Sequence, residues 1–247
     1  RLISSFGWRP TFVIVGAVNI VAIVAMAQVL KSSPEQLSEN PDGKDKGSKS
    51  DLQNGGFSVG EAVHMRQFWL LFGIYVCFFF SINAVLAHIV VHAAGMGISL
   101  EKAANIMLAV GVGGIIARFI IGLLGDKIGN RKACLICFTV MCLTTLYLIK
   151  AADLLSLSVA SLGIGFCFAG GGSLMAPLIA DYFGLKAHGV ILGFVYASDM
   201  VGGAIGPVMA GAIFDTTNSY DLAFLSSSLV AFLGCVMIML LGERQEW

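Results

Sequence analysis

The sequence predicts an all-α integral membrane protein, and three observations carry that expectation. Hydrophobic residues fill 57% of the 247 positions and charged residues 12%, about half the charged share of an ordinary soluble domain. Charge-poor runs long enough to cross a hydrocarbon core, roughly 20 residues as a helix, recur seven times along the chain. One strongly polar segment interrupts them, and the other breaks are short.

The first run spans Pro10 to Leu30. It is followed by "KSSPEQLSENPDGKDKGSKSDLQNGG", which has almost nothing apolar to bury and is expected to be a disordered linker. In the next stretch, "FSVGEAVHMRQFW", Phe57, Val59, Ala62, Val63 and Phe68 line one side of a short helix suited to the membrane interface. Six closely spaced runs complete the chain: Phe68 to about His92, Ala103 to Leu124, Ala133 to Ile149, Leu154 to Ala180, Gly189 to Phe214 and Leu222 to Leu241. The last but two and last but one are long and glycine-rich, which predicts tilt or kinking. The expected division is therefore 1–30, a first span belonging to something mostly missing; 31–66, the linker with its interfacial helix; and 67–247, a six-helix bundle.

Basic residues orient such a chain. If the linker faces the cytoplasm, that side holds Lys31, Lys44, Lys46, Lys49, Arg66, Lys127, Arg131, Lys132, Lys186 and Arg244, against Arg1, Arg9, Lys102 and Lys150 on the other. This asymmetry places the linker, the 125–132 loop and the C-terminus in the cytoplasm. The chain opens at Arg1 with no basic segment and small-residue cleavage site, so no signal peptide is read there, and it is expected to be part of a longer protein.

Fifteen basic and fifteen acidic residues balance, so no nucleic-acid footprint exists. The sequence has no G-x-x-x-x-G-K-(S/T), H-E-x-x-H or G-x-S-x-G, and gives no support for an enzyme, a cofactor or a metal. All six cysteines lie inside apolar runs, as helix-packing residues do. Cys134 and Cys137 form a lone C-x-x-C without further ligands.

Ionisable groups inside spans are costly and point to function. Arg118 lies eight residues before Asp126, roughly 12 Å from its helix end, and Asp199 lies ten residues past Gly189, roughly 15 Å from the same face. A static pair locking two helices and a joint site, with arginine holding an anion and aspartate carrying a proton, both fit these positions. His88 and His92 share one helical face near the far end of their span. There they suit interfacial hydrogen bonding, or for His88 a pH-sensitive role. Asn83, deeper in the same span, suits either a polar cavity or a helix-to-helix hydrogen bond. In "GGAIGPVMAG", Gly202, Gly206, Pro207 and Gly211 offer a small-residue surface for close helix approach, with a proline where the helix bends.

"GLLGDKIGNRK" resembles the G-x-x-x-D-(R/K)-x-G-(R/K)-(R/K) loop signature of the major facilitator superfamily, in its second-half copy. Gly122, Asp126, Lys127, Gly129, Arg131 and Lys132 match, and Asn130 stands where a base is common. "FGWRPTF", "LIADYFGLKAHGVILG" and "GPVMAGAIFDTTNSYDLAF" are similar to other parts of the superfamily. The resemblance implies that the first span is helix six of twelve, that the next six are the C-terminal half, and that the N-terminal half is a missing partner. It also implies alternating access in a plasma (inner) membrane, with Asp126 as a conformational latch in the loop. The "AR-x-x-x-G-L" around Arg118, the "FW" pair and "HIVVHAAGMGIS" look most like the monocarboxylate transporter and oxalate/formate antiporter branch. There an arginine on helix eight is implicated in carboxylate binding, and Arg118 matches it. The antiporter's lysine on helix eleven has no counterpart, Asp199 occupying that helix. The expected function is secondary transport of small organic anions such as monocarboxylates, proton-linked. A drug or sugar-type transporter and a non-transporting membrane sensor are the alternatives.

Overall fold

The computed structural model describes residues 7–29 and 55–242, and nearly all of them are helical. The expected disordered linker, apart from its last two residues, and the basic residues Arg1 and Arg244 lie outside the described residues. The chain divides into two compact units, residues 1–49 and 50–247. Within the first, α1 (Trp8–Val29) is a 22-residue apolar helix whose side chains are almost all exposed.

The second unit holds α2 (Val59–His64), α3 (Arg66–Gly95), α4 (Leu100–Ile128), α5 (Asn130–Leu148), α6 (Leu154–Phe183), α7 (His188–Thr217) and α8 (Asp221–Leu240). With α1, the six long helices make seven that are long and apolar enough to cross a membrane. Four of them, α3, α4, α6 and α7, run to 29 or 30 residues. At 1.5 Å per residue they are roughly 45 Å long, more than the hydrocarbon core is thick, so they must tilt or protrude. By contrast α5 and α8, with 19 and 20 residues, only just span it.

Most helices run a few residues past the expected spans, and at one boundary this changes the structure. The 125–132 segment is not a loop: α4 continues through Ile128 and α5 begins at Asn130, so Gly129 alone makes the turn. Its φ of 87° belongs to the left-handed region open to glycine. Asp126 and Lys127 therefore sit in the last turn of α4, and Asn130, Arg131 and Lys132 in the first turn of α5.

Packing follows a simple order. α4 lies against α6, α6 against α5, α5 against α8, α8 against α3, and α3 against α7. The two closest pairings rest on glycine. A Cβ at Gly113 on α4 would strike the Leu162 carbonyl on α6, and one at Gly165 on α6 would strike the Val110 carbonyl on α4. Gly202 and Gly206 on α7 meet the backbone of α3 at Val76 and Phe80 in the same way. Missing side chains let backbones approach, which replaces the hydrophobic driving force that helices lose in lipid. Gly211 is looser, since a Cβ there would meet only the His88 ring, at 3.6 Å. Between the pairings, Phe78 and Phe138 fill the centre with ring centroids 5.9 Å apart, and the buried Tyr75 hydroxyl donates to the Gly171 carbonyl at 3.2 Å.

The short α2 is fixed by a reciprocal cap. Ser58 N–H donates to Glu61 Oε2 at 2.7 Å and Glu61 N–H to Ser58 Oγ at 3.4 Å, satisfying amides a helix start leaves open. Just before it the chain clasps the α6–α7 turn: Phe57 N–H donates to the Phe183 carbonyl at 2.9 Å and Leu185 N–H to the Gly55 carbonyl at 3.1 Å. Gly56 and Gly184 face each other in this bridge.

Candidate functional site

Arg118 sits ten residues before the end of α4, and Asp199 eleven residues after the start of α7. Counted along the helices from the Gly129 end of the bundle, both are therefore about 15–17 Å deep. Both are exposed on the open faces of their helices. Arg118 shares its stripe with the exposed Gly111, Ile115 and Gly122, and among the described residues its guanidinium has no hydrogen bond or ion pair.

The structure does not join Arg118 to Asp199. α4 is packed on α6 and α7 on α3, so the residue in reach of Asp199 comes from α3. Asn83 Nδ2 donates to Asp199 Oδ1 at 3.4 Å and to the Phe79 carbonyl, one turn back on its own helix, at 2.9 Å. Sequence reasoning placed both residues in spans and did not pair them, because a contact between residues 116 positions apart depends on helix packing.

Gly203 was not singled out from the sequence, yet it makes room for this pair. A Cβ there would lie 2.6 Å from Asp199 Oδ1 and 3.1 Å from Asn83 Nδ2. Its signal was its spacing, four residues after Asp199 and so on the same face. Tyr196, three residues before Asp199, brings a half-exposed phenol to that face.

Further along the same α3–α7 interface, His88 Nε2 lies 3.0 Å from the Pro207 carbonyl and Nδ1 lies 3.3 Å from Tyr220 Oη. Burial, with the nearby Asp215 carboxylate, pushes the Tyr220 phenol above its ordinary value. The Pro207 carbonyl can only accept, so His88 Nε2 carries a hydrogen and donates to it. Tyr220 also stacks on Phe214 at 4.3 Å, and His92 meets Tyr220 and Phe224 edge-on at 5.5 and 5.2 Å. His88 thus belongs to an aromatic cluster beyond the Asp199 level and has no bond to Asp199.

At the opposite end, the residues of the loop signature are distributed differently from expectation. Arg131 donates to the carbonyls at the end of α8: Nε to Ile238 at 3.0 Å, Nη2 to Met239 at 2.7 Å and Nη1 to Gly242 at 3.4 Å. A cation there adds donors to the last carbonyls of the helix and complements the helix dipole. Asn130, where a base is common, donates to Asp181 Oδ2 on α6 at 2.8 Å. Asp126, Lys127 and Lys132 are exposed, and among the described residues Asp126 makes no hydrogen bond or ion pair. An apolar groove of about 420 Å³ between α5 and α8, lined by Leu143, Leu229, Phe232 and Met239 among others, contains none of these residues.

The chain belongs to the Major Facilitator Superfamily, whose profile matches residues 1–121 and 95–246. It is 26% identical over 245 residues to the sialic acid transporter NanX of Escherichia coli (strain K12), a match covering 96% of this chain and 56% of that protein. Monocarboxylate transporter 12 of Rattus norvegicus is 24% identical over 272 residues, covering 96% of this chain and 54% of its own. Among solved structures, the fucose:proton symporter FucP of E. coli aligns with a TM-score of 0.64 at 18% identity, covering 97% of this chain and 55% of that one; that likeness shows the fold. The chain spans about half the length of the curated relatives it matches. The family read from the 122–132 segment and the all-α membrane fold are both as expected from sequence.

Proposed function

We propose that this chain is the C-terminal half, preceded by helix six, of a secondary transporter for small organic anions, working by alternating access and linked to protons. One observation carries the reading: a guanidinium with no partner stands on an open face at mid-span. An unpaired charge there is expensive unless it faces water or an anion, and arginine's planar fork suits a carboxylate. The relatives named for sialic acid and monocarboxylate transport agree with an acid as substrate. Asp199, also lacking a countercharge, is the proton carrier of this reading, and His88 a second titratable group farther along the path.

The glycine-mediated α4–α6 and α3–α7 pairs move as units in this scheme, with Gly129 as the turn between α4 and α5. Asp126 is free to bind the missing half in one conformation and release it in the other. Asp126→Asn is then expected to slow uptake at unchanged membrane content; full activity removes the latch. In this reading the excess of basic residues at the Gly129 end turns that end toward the cytoplasm, in an inner or plasma membrane. Lys132→Cys should therefore react with an impermeant thiol reagent from the cytoplasmic side alone, and reaction from outside inverts the topology.

The direct test is uptake of radiolabelled monocarboxylates by the complete transporter in proteoliposomes. Arg118→Ala is expected to abolish it, with the protein still present in the membrane and melting as the parent does. Unchanged carboxylate uptake in that variant overturns the anion site.

A further inference from the structure

We infer that the groove between α5 and α8 holds one acyl chain of an anionic phospholipid whose phosphate is bound by Lys132. The inference goes beyond the transport reading and does not depend on it. α5 and α8 stand in the middle of the packing order, whereas Arg118 and Asp199 stand on α4 and α7 at its two ends. No residue is charged from Ala133 to Leu148 or from Leu222 to Leu240, so this side of the bundle suits lipid.

The groove asks for hydrocarbon. Of the polar side chains along it, Thr139 donates to the Leu135 carbonyl at 2.8 Å, Ser228 to the Cys142 carbonyl at 3.2 Å and Cys142 to the Ser228 carbonyl at 3.6 Å. Their hydrogens are spent on backbone, and Leu143, Leu229, Phe232 and Met239 present carbon. From Leu225 to Met239, both in the wall, α8 rises roughly 21 Å. A volume of about 420 Å³ spread over that length has a section of roughly 20 Å². That is the width of a single hydrocarbon chain; a helix, roughly 10–12 Å across, needs about five times as much.

A cation stands at one end of the groove. Lys132, Ile136, Thr139, Leu143 and Leu146 follow each other at four- and three-residue steps, so they form one stripe of α5, and all five are exposed. Thr139, Leu143 and Leu146 are the α5 wall of the groove, and Lys132 heads the stripe roughly 10 Å beyond Thr139. Arg131 ties this end of α5 to the Ile238, Met239 and Gly242 carbonyls, so Met239 marks the end of the groove nearest Lys132. With its 19 residues α5 only just spans the hydrocarbon, which holds Lys132, in its first turn, at the layer where headgroup phosphates lie. Arg131 is committed to carbonyls; among the described residues the Lys132 ammonium has no hydrogen bond or ion pair. An ammonium at that layer draws an anionic headgroup and holds a zwitterionic one less, because the lipid's own ammonium offsets its phosphate.

The experiment uses the complete transporter in phosphatidylcholine proteoliposomes. Each sample carries a small share of phosphatidylglycerol, or of phosphatidylcholine, with a diazirine in one acyl chain, and adducts are mapped by mass spectrometry after illumination. Phosphatidylglycerol is expected to label the α5 and α8 peptides about fivefold more than phosphatidylcholine, the scale of one lysine at a membrane surface. Lys132→Gln should bring that ratio toward one and Lys132→Arg should keep it, while Leu229→Trp, which narrows the groove, should cut labelling by both lipids. A thermal melt of each variant shows that it is folded. Equal labelling by the two lipids in the parent, or a ratio unmoved in folded Lys132→Gln, overturns the headgroup site. Labelling of α5 and α8 undiminished in folded Leu229→Trp overturns the acyl-chain site. Glycerol 3-phosphate suppressing the labelling as well as unlabelled phosphatidylglycerol does shows a phosphate site without a chain, and overturns the lipid. Groove peptides free of label, with Leu143→Cys cross-linking two copies, assign the groove to a second copy of the protein instead.

Discussion

Asn83 and Asp199 meet across the α3–α7 interface at 3.4 Å, one turn from the point where Gly202 lets α7 press on the α3 backbone at Val76. The polar contact and the tight packing share one interface.

If Asp199 carries the coupled proton, Asp199→Asn retains the shape and removes the titration. Uptake measured against external pH should then lose its slope. A variant profile as steep as the parent's assigns Asp199 a structural role.

The α4–α6 contact has no spare volume. Gly165→Ala drives a methyl into the Val110 carbonyl and is expected to cost about 1–3 kcal/mol, seen as a Tm lower by several degrees in detergent. Gly172, on the same helix, has open space around it; Gly172→Ala should leave Tm level or slightly raised. Equal effects of the two changes rule out close packing as the cause.

The clasp between Gly55 and the α6–α7 turn depends on glycine at 184, where φ is 72° and a Cβ would lie 2.5 Å from the Gly55 carbonyl. Gly184→Ala should speed hydrogen exchange at the amides of Phe57 and Leu185, which donate across the clasp. Gly189→Ala, with nothing near it, serves as the control, and similar exchange in both variants refutes the clasp.

Asp153 caps α6, its Oδ1 accepting from Ser156 N–H at 2.8 Å while its own N–H donates to Ser156 Oγ at 3.1 Å. The Ser156 side chain and then its backbone hold this carboxyl below the ordinary range. A depressed carboxyl contributes stability above its unfolded value, near pH 4, and loses it as pH falls through the folded value. The Tm gap between parent and Asp153→Ala should thus be constant near neutrality and close below roughly pH 4. A gap that persists in acid shows that the charge is not the source.

The seven spans and the family were legible in the sequence because lipid imposes length, hydropathy and helicity on each segment separately. The same local logic exposed Arg118 and Asp199, since a charge inside an apolar run needs no partner to be noticed. It also marked Gly202 and Gly206, whose spacing repeats on one helical face. What the sequence could not supply was which helices touch. It allowed Arg118 to pair with Asp199 because both lie at one depth; packing gave Asp199 to Asn83 instead, since α7 rests on α3 and α4 on α6. Nor were the partners of Arg131 and Asn130 legible: in the fold they reach carbonyls and a carboxylate at α8 and on α6 that lie 51 to 111 positions away. Depth is set by counting residues along one helix, whereas contact is set by how closely glycine-lined backbones settle against each other. The first is written in the sequence, and the second appears only in the folded bundle.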